Sequence, residues 1–439
     1  MRSRPWVDPL DEAFRRNPHL GPRDRAFISH LVSGVWRWRG RLDWMIARTS
    51  TRPLKDISPL VLHILRLALV QIEFMDRVPD SAAVNEAVRQ VKSVGMARAA
   101  PFVNGLLRGL CRDRSGIVFP DAATQPVQHL AATLSYPEWL VARWVHAYGF
   151  EETEALLRAQ NRIPGLVVRA NRLKTDRDDL IRRLHAEGVA AEPLGDFPEA
   201  VRIENLRGRV DRLSAFQEGL FQVQDAAAQV PAHLLAPEPG ERILDLCAGF
   251  GGKATHLAEL SEGLARVTAL DIQTRRLIHL RRAVTRLGLS GVDAVVGDGV
   301  QGTMRLFRRP FDAVLVDAPC SGLGVLGRHP DGKWNRTEAD IVRLAAMQKD
   351  LLHAAAGVLR PGGRLLLVTC TMTPEENEDG IRAFLEERSD LERADLREQA
   401  PDWARGFMDA EGFYRTLPHL HGMDGFFGAL LVKRAVPSK

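Results

Sequence analysis

The run from Phe311 to Trp334, FDAVLVDAPCSGLGVLGRHPDGKW, constrains the fold more than any other stretch of this chain. Ala313 to Val316 is a short apolar run fenced by Asp312 and Asp317, and it reads as a strand buried on both faces of a parallel sheet. Ligands of open α/β sheets sit outside the carboxyl ends of the strands. This strand delivers a carboxylate, Asp317, and a thiol, Cys320, to that edge, separated by Ala318 and Pro319. Pro319 fixes its own φ and drives Ala318 into an extended conformation, which holds the acid and the thiol in a defined relation. The bland alternative is a buried cysteine in a tight turn. For Cys320 alone that alternative is favoured, but the company it keeps elsewhere in the chain reverses the balance.

A chain of 439 residues has room for two or three domains. No apolar run approaches the length of a bilayer span, so no membrane partner is expected. The first sixteen residues, MRSRPWVDPLDEAFRR, lack the apolar core of a signal peptide. Cys111, Cys247, Cys320 and Cys370 lie far apart and form neither a CxxC nor a Cys/His ligand spacing. They read as free thiols of a reducing, cytoplasmic compartment, and no metal is expected. His419 and His421, two apart in a turn without a third ligand, read as surface histidines. The formal charge is +5 overall, but residues 1–140 carry 20 Lys+Arg against 13 Asp+Glu, so the excess of cations is at the front. A basic, Arg-rich front half fits a polyanion, RNA first; a merely solvated basic surface fits the charge equally well.

Residues 20–115 read as all helix, with Leu62, Leu65, Leu69 and Ile72, then Val84, Val88 and Val91, at helical spacing and Pro59 and Pro79 as punctuation. Arg37, Arg39 and Arg41 alternate with Trp36 and Trp38 in VWRWRGRLDW; the tryptophans read as core, and the arginines as either phosphate ligands or solvated neighbours. PRDRAFISHLVSGVWRWRGRLDWMI, SAAVNEAVRQVK and FVNGLLR resemble the NusB-type helical RNA-binding domain at the front of bacterial ribosomal RNA methyltransferases. That family usually has a further helix before the PRDRAF stretch. Here only about twenty residues precede it, with Pro5, Pro9 and Pro18 among them, so the first helix is expected to be short or absent and Met1 to be a start assigned too late. Residues 116–135 read as a linker and Tyr136 to Gln160 as helix. Gly165 to Ala170 (strand), Asp176 to Glu187 (helix) and Val189 to Leu194 (strand) then read as a small βαβ unit.

The core domain is expected to open at Phe221-Gln222-Val223-Gln224-Asp225 with a helix to about Leu235. Ile243 to Leu246 is a strand, Cys247 to Lys253 a Gly-rich loop and Ala254 to Leu260 a helix. Glycines there let the backbone approach a ligand, and the helix start offers free N–H groups. The spacing is not GxGxxG, and a Gly-rich turn alone is weak evidence. The next strand ends in Asp271, where a carboxylate binds ribose hydroxyls; this suits NAD and S-adenosylmethionine equally, and a helix cap is the bland reading. A third strand ends in Gly297-Asp298-Gly299, where an acid could meet an adenine amino group. The fifth, Gly363 to Val368, follows the turn Leu359–Gly363 and ends in Thr369-Cys370-Thr371. Thr373-Pro374-Glu375-Glu376 reads as a capping box opening a helix. Gly412 to Lys433 reads as two strands around a turn.

Two cysteines and an acid at one sheet edge match what methylation of a pyrimidine carbon requires. Carbon 5 of cytosine is a poor nucleophile until a thiolate adds to carbon 6. The reaction needs a thiol of lowered pKa, an acid near ring nitrogen 3 and a base turned into the pocket. The residues by themselves do not say which thiol attacks. DAPCSGLGVLGRHPDGKW, TCTMTPEENE and DLCAGFGGK together resemble the RNA cytosine-C5 methyltransferase superfamily, in its bacterial RsmB/Sun branch, over about Leu20 to Lys433. The resemblance implies Cys370 as nucleophile, Cys320 in product release, Asp317 touching the target base and Lys253 supporting Asp317. It implies cofactor contacts from Cys247, Ala248, Gly249, Phe250, Gly251, Gly252 and Lys253, with Asp271, Asp298 and Asp317. Where the family loop reads AAPGGK, Gly249-Phe250 replaces Ala-Pro here, which bears on cofactor affinity more than on the reaction.

The resemblance therefore implies a multidomain chain. Residues 1–125 would be an all-α NusB-like RNA-binding domain. Residues 136–215 would be a helical linker and a small α+β, RNA-recognition-like insert. Residues 216–439 would be an α/β Rossmann-like class I methyltransferase domain. The expected activity is methyl transfer from S-adenosylmethionine to carbon 5 of a cytosine in 16S ribosomal RNA, or in a small-subunit precursor, through a covalent Cys–cytosine intermediate, by a monomer. Arg328, His329 and Lys333 are expected to meet RNA. Alternatives are an RNA-binding factor with a silent catalytic domain, a 5-methylcytosine enzyme for another RNA, a nicotinamide-dependent dehydrogenase and a DNA cytosine methyltransferase. The intact Cys, Asp and Lys set, the missing GxGxxG and the second cysteine with the NusB-like front weigh against the first, third and fourth.

Overall fold

The computed structural model describes residues 7–204, 206 and 208–435; Met1 and Pro5, and with them the question of the start, lie outside the described residues. The chain forms two compact units, Met1–Arg162 with Leu326–Asn335, and Ile163–Val325 with Arg336–Lys439.

The first unit is helical: α1 (Val7–Arg16), α2 (Pro22–Thr49), α3 (Pro59–Phe74), α4 (Asp80–Ser93), α5 (Ala100–Arg112), α6 (Pro126–Leu134), α7 (Glu138–Tyr148) and α8 (Phe150–Asn161). Pro22, Pro59 and Pro126 stand at the first helical turn, where a missing N–H costs nothing. The short first helix expected from the sequence is the ten-residue α1. Leu42, Leu65, Leu69, Val84, Val91, Val103 and Leu107 are buried in one apolar cluster, which is the predicted helical periodicity turned inward. Trp38 stacks on Phe74 at 4.5 Å, as a core residue should.

The basic residues of this unit depart from expectation. Arg37 is buried and donates to the carbonyls of Gln160, Arg162 and Gly327. Lys333, expected to meet RNA, is fully buried. Its Nζ donates to the carbonyls of Arg37 (3.1 Å) and Ser135 (3.2 Å) and to Asn161 Oδ1 (2.7 Å). The ring of Tyr136 lies 3.6 Å away, so three acceptors and a π face replace the water that a buried ammonium loses. Trp334 donates its indole N–H to the Trp36 carbonyl at 2.7 Å. His329 remains at the surface. The segment Leu326–Asn335 is thus an integral, sequence-distant part of the helical unit.

The second unit has two sheets. The smaller is antiparallel, in the order β2-β3-β1-β4, from β1 (Leu166–Ala170), β2 (Ala190–Pro193), β3 (Ala200–Glu204) and β4 (Phe221–Val223), with α9 (Arg177–Ala186) after β1 and the short α10 (Ser214–Gln217) before β4. β1 and β2 run parallel and are joined by α9, the expected βαβ unit in split form, because β3 lies between them and is antiparallel to both. One expectation is corrected. Phe221–Val223 belongs to this sheet and not to the catalytic core, its Phe221 filling the small sheet's apolar cluster with Val168, Leu180, Leu184 and Val201.

The larger sheet runs β10-β12-β9-β8-β5-β6-β7, with β11 on β12. β5 (Arg242–Leu246), β6 (Arg266–Asp271), β7 (Val292–Val296), β8 (Phe311–Asp317) and β9 (Leu359–Thr369) are parallel. β10 (Leu391–Arg393), β11 (Tyr414–Thr416) and β12 (Phe426–Lys433) pair antiparallel. The expected turn at Leu359–Gly363 is drawn into β9, with a register irregularity between Phe311 and Ala313 of β8. Alternation along the strands feeds two cores. Ile243, Ala313, Leu315 and Leu366 face a cluster with α11 (Ala226–Leu235), α12 (Gly252–Leu260) and α13 (Thr274–Leu287). Leu244, Val314, Val316 and Leu367 face a cluster with residues of the helices Glu338–Val358 and Glu378–Glu387. A sheet covered by helices on both faces leaves its carboxyl edge for chemistry.

Candidate active site

β8 and β9 are adjacent and parallel, with Asp317 opposite Val368, so the loops that follow them must meet. The Ala318 N–H donates to the Val368 carbonyl (3.0 Å), and the Gly324 N–H to the Cys370 carbonyl (3.0 Å). A side chain at Gly324 would lie 2.0 Å from the Gly425 carbonyl, so only glycine permits this crossing. The result brings Cys320 Sγ to 3.2 Å from Cys370 Sγ, and the Cys370 N–H to 3.3 Å from Cys320 Sγ. Cys370 is not an activated thiol in this arrangement. Its hydrogen bond with Cys320, then burial, then the charge of Asp317 push its pKa well up, against the pull of Lys253. The lowered pKa expected of an attacking cysteine is therefore absent here, for the specific reason that the second thiol is its nearest partner.

Lys253 Nζ donates to Asp317 Oδ2 at 2.7 Å. Burial disfavours the Lys253 ammonium, but Asp317, through its charge and hydrogen bond, and Asp245 hold the pKa above its ordinary value. Cys320, Cys370, Asp317 and Lys253 thus gather at one strand edge. The Gly-rich loop behaves as the sequence requires. Gly249 and Gly251 have φ of +58° and +85°, and a side chain at Gly251 would strike Leu280 at 2.5 Å. Cys247 also has positive φ; its N–H and that of Ala248 both donate to the Leu270 carbonyl, and burial pushes its thiol pKa up. It is a packing residue with an inert thiol. α12 starts at Gly252, two residues earlier than expected. Phe250 is 61% exposed, with its ring near His279 and Arg276.

Asp271 is buried and accepts from the Gly249 N–H (3.0 Å) and the Gln273 N–H (2.7 Å). It secures the Gly-rich loop and caps the turn into α13 together. Asp298 accepts from the Val300 and Gln301 N–H groups; its bonds stay within its own turn after β7, apart from the Cys–Asp–Lys group.

Two residues of the site escaped sequence reasoning. Asp245, on β5, is fully buried, and neither carboxylate oxygen meets a donor among the described residues. Burial, then Asp317, push its pKa up to about 7. Its only sequence signal is a lone acid inside ILDL. Glu376 does not close the capping box that its spacing predicts, since Pro374–Glu376 is a 3-10 helix without a side-chain cap. Glu376 is buried and instead takes the Ser321 N–H (2.8 Å), Ser321 Oγ (2.5 Å), Thr373 Oγ1 (2.7 Å) and Gln348 Nε2 (3.1 Å). It joins the loop of Cys320 to the loop of Cys370.

Comparison with known proteins assigns each part of the chain. Residues 232–432 match the model described as 16S rRNA methyltransferase RsmB/F, residues 3–112 the NusB family, and residues 136–208 the ferredoxin-like domain of RsmF/B-like methyltransferases. The chain is 38% identical over 414 residues to the probable ribosomal RNA small subunit methyltransferase B of Bacillus subtilis, covering 94% of this chain and 91% of that one. It is 37% identical to ribosomal RNA small subunit methyltransferase B of Salmonella typhi, covering 94% and 92%. Among solved structures, PH0851 superposes with a TM-score of 0.80 at 29% identity, covering 96% of this chain and 93% of that one. A methyltransferase homolog protein from Pyrococcus horikoshii superposes with a TM-score of 0.60 at 27% identity, covering 69% and 97%.

Proposed function

Since the chain belongs to the RsmB/F family of 16S ribosomal RNA methyltransferases, we propose that it methylates carbon 5 of a cytosine in 16S ribosomal RNA, with Cys370 as nucleophile. The observation that carries this reading is the pair of thiols 3.2 Å apart beside the Lys253–Asp317 ion pair. One thiol suffices for addition to carbon 6; a second at contact distance serves the elimination that frees the product.

S-adenosylmethionine is the proposed methyl donor, and when bound it supplies an electrophilic methyl group to carbon 5. The residues fit it. Gly249, at positive φ, and Gly252 leave the backbone of the loop from Cys247 to Lys253 open to close approach by a ligand, with the Phe250 ring exposed beside it. Asp271 ends β6, Asp298 follows β7 by two residues, and Asp317 ends β8, the strand beside β5.

The rest is chemistry of the chain's own groups. A cytosine entering beside Cys370 separates the two sulfurs and removes the largest cause of the raised Cys370 pKa. Lys253, held cationic by Asp317, then favours the thiolate. The proton that Cys370 loses passes through Asp317 to ring N3 as the sulfur adds to carbon 6, and the 5,6 electron pair becomes an enamine whose nucleophilic end is carbon 5. Once carbon 5 carries the methyl group, Cys320 as thiolate accepts the carbon-5 proton, that electron pair re-forms the 5,6 double bond, the Cys370 thiolate leaves and N3 returns its proton to Asp317. The substrate is ribosomal RNA or a small-subunit precursor. Residues 1–125 are proposed to bind RNA, 136–215 to support binding, and 216–439 to catalyse.

Methyl transfer from labelled S-adenosylmethionine to 16S RNA tests this with two variants. Cys370→Ala is expected to lose about a thousandfold or more in rate. Cys320→Ala is expected to accumulate a protein–RNA adduct on a denaturing gel. The reverse pattern would move the nucleophile to Cys320.

A further inference from the structure

A second group of reactive side chains lies in the same unit, outside the thiol site. Glu199 directly precedes β3, and its carbonyl accepts the Ala170 N–H at 2.9 Å. His233 is in the last turn of α11, and His256 is in α12. The donor atoms of the three side chains all lie within 4.8 Å of one another. His233 Nε2 is 3.0 Å from Glu199 Oε2, and the two imidazoles meet edge to face at 5.0 Å. Glu199 is 6% exposed and His256 0%.

His256 is the telling member. It is fully buried, and neither ring nitrogen has a hydrogen-bond partner among the described residues. A neutral imidazole carries one donor and one acceptor, and leaving both unmet inside a protein is costly.

We propose that Glu199, His233 and His256 form a binding site for a divalent transition metal of the zinc type. Two imidazoles and one carboxylate suit zinc, cobalt or nickel, and do not suit magnesium or calcium, which take oxygen ligands. Tetrahedral bonds of about 2.1 Å draw the three donors together through small side-chain rotations. The nearby cations leave room for the ion. Arg169 is paired with Glu259 at 2.9 Å. Arg172, 3.7 Å from Glu199, is 46% exposed and can turn to water. Arg172 and Glu199 also line a cavity of about 560 Å³, which brings solvent to the Glu199 side of the cluster. Trp403 packs edge-on against His233 at 5.1 Å, with Phe197 against Trp403, giving an apolar shell. The ion would tie three elements distant in sequence. One of them, α12, carries Lys253 three residues before His256, so metal occupancy would stiffen the helix that holds Asp317.

The test uses the full chain after chelation, titrated with Co²⁺ and Zn²⁺, in wild type and in a Cys320→Ser/Cys370→Ser background that removes the paired thiols as competitors. One Co²⁺ per chain is expected in both, with the visible spectrum of a tetrahedral nitrogen/oxygen site and no thiolate charge-transfer band. His233→Gln and Glu199→Gln are each expected to weaken binding more than about tenfold while retaining the wild-type circular dichroism. X-ray absorption of the zinc-loaded wild type, independent of any variant's folding, is expected to show imidazole and no sulfur. Absence of stoichiometric binding, unchanged binding in both variants, or sulfur in the zinc shell would overturn the proposal.

Discussion

Asp245 changes its chemistry more on folding than its place in an apolar run discloses. In the unfolded chain it ionises near about 3.9; in the folded chain burial, then Asp317, raise it to about 7. Between about pH 4 and 7 the folded state therefore holds a proton that the unfolded state has lost. Stability falls as pH rises through that window, by up to about 1.4 kcal/mol per pH unit from this group alone. Asp245→Asn is neutral throughout and lacks the effect. The excess of its melting temperature over wild type is expected to widen from pH 4 to 7 and then level off; calorimetric curves that stay parallel would refute this. Cys320, Cys370 and Asp317 could be singled out from the sequence because chemistry of that kind needs those residue types after strands, and Lys253 only through the family resemblance. Asp245 and Glu376 could not, because their significance is burial and partnership. A carboxylate between leucines and an acid two residues past a proline look the same whether solvated or enclosed.

Between elements, Arg169 joins β1 of the small sheet to α12. It is fully buried and bonds both oxygens of Glu259 (3.1 and 2.9 Å), the Gly252 carbonyl (2.9 Å) and Thr255 Oγ1 (3.2 Å), with Gln224 as a further partner. Removing one member strands the other's charge, at a cost of about 3–5 kcal/mol. Arg169→Met is expected to lose that much in urea denaturation, and Arg169→Met with Glu259→Leu to recover most of it; a double variant as unstable as the single would show that the geometry, and not the charge, is what matters. The parallel strands were legible because uninterrupted apolar runs such as Ala313–Val316 and Leu365–Val368 have few other uses. The small sheet was half legible. β3, AVRIE, sets Arg202 and Glu204 among its apolar residues, and β4 is three residues next to a helix of the other layer. Only pairing with β1 reveals either as a strand.

At the scale of the whole molecule, Lys333, whose place just after the Pro319-Cys320 turn points to an RNA contact, is the internal fastener of the helical unit. Lys333→Ala leaves three buried acceptors without their donor, and a loss of about 2–4 kcal/mol is expected. The dependence of RNA affinity on salt should keep its slope, whereas loss of a phosphate contact would reduce it by about one; melting and filter-binding titrations together decide. Charge counts see the lysine but not its enclosure, which needs Arg37, Ser135 and Asn161 brought from far apart in the chain. The domain order was legible because each segment has its own periodicity, while the membership of Leu326–Asn335 in the front unit was not. That membership has a consequence for biosynthesis. A chain leaving the ribosome generally folds its first domain first, but here the front helices lack their last strut until Trp334 has emerged, more than 170 residues after α8 is complete. The front unit is the first to be made and among the last to be finished, and a nascent chain halted between these points carries a helical bundle with its polar seam still open to water.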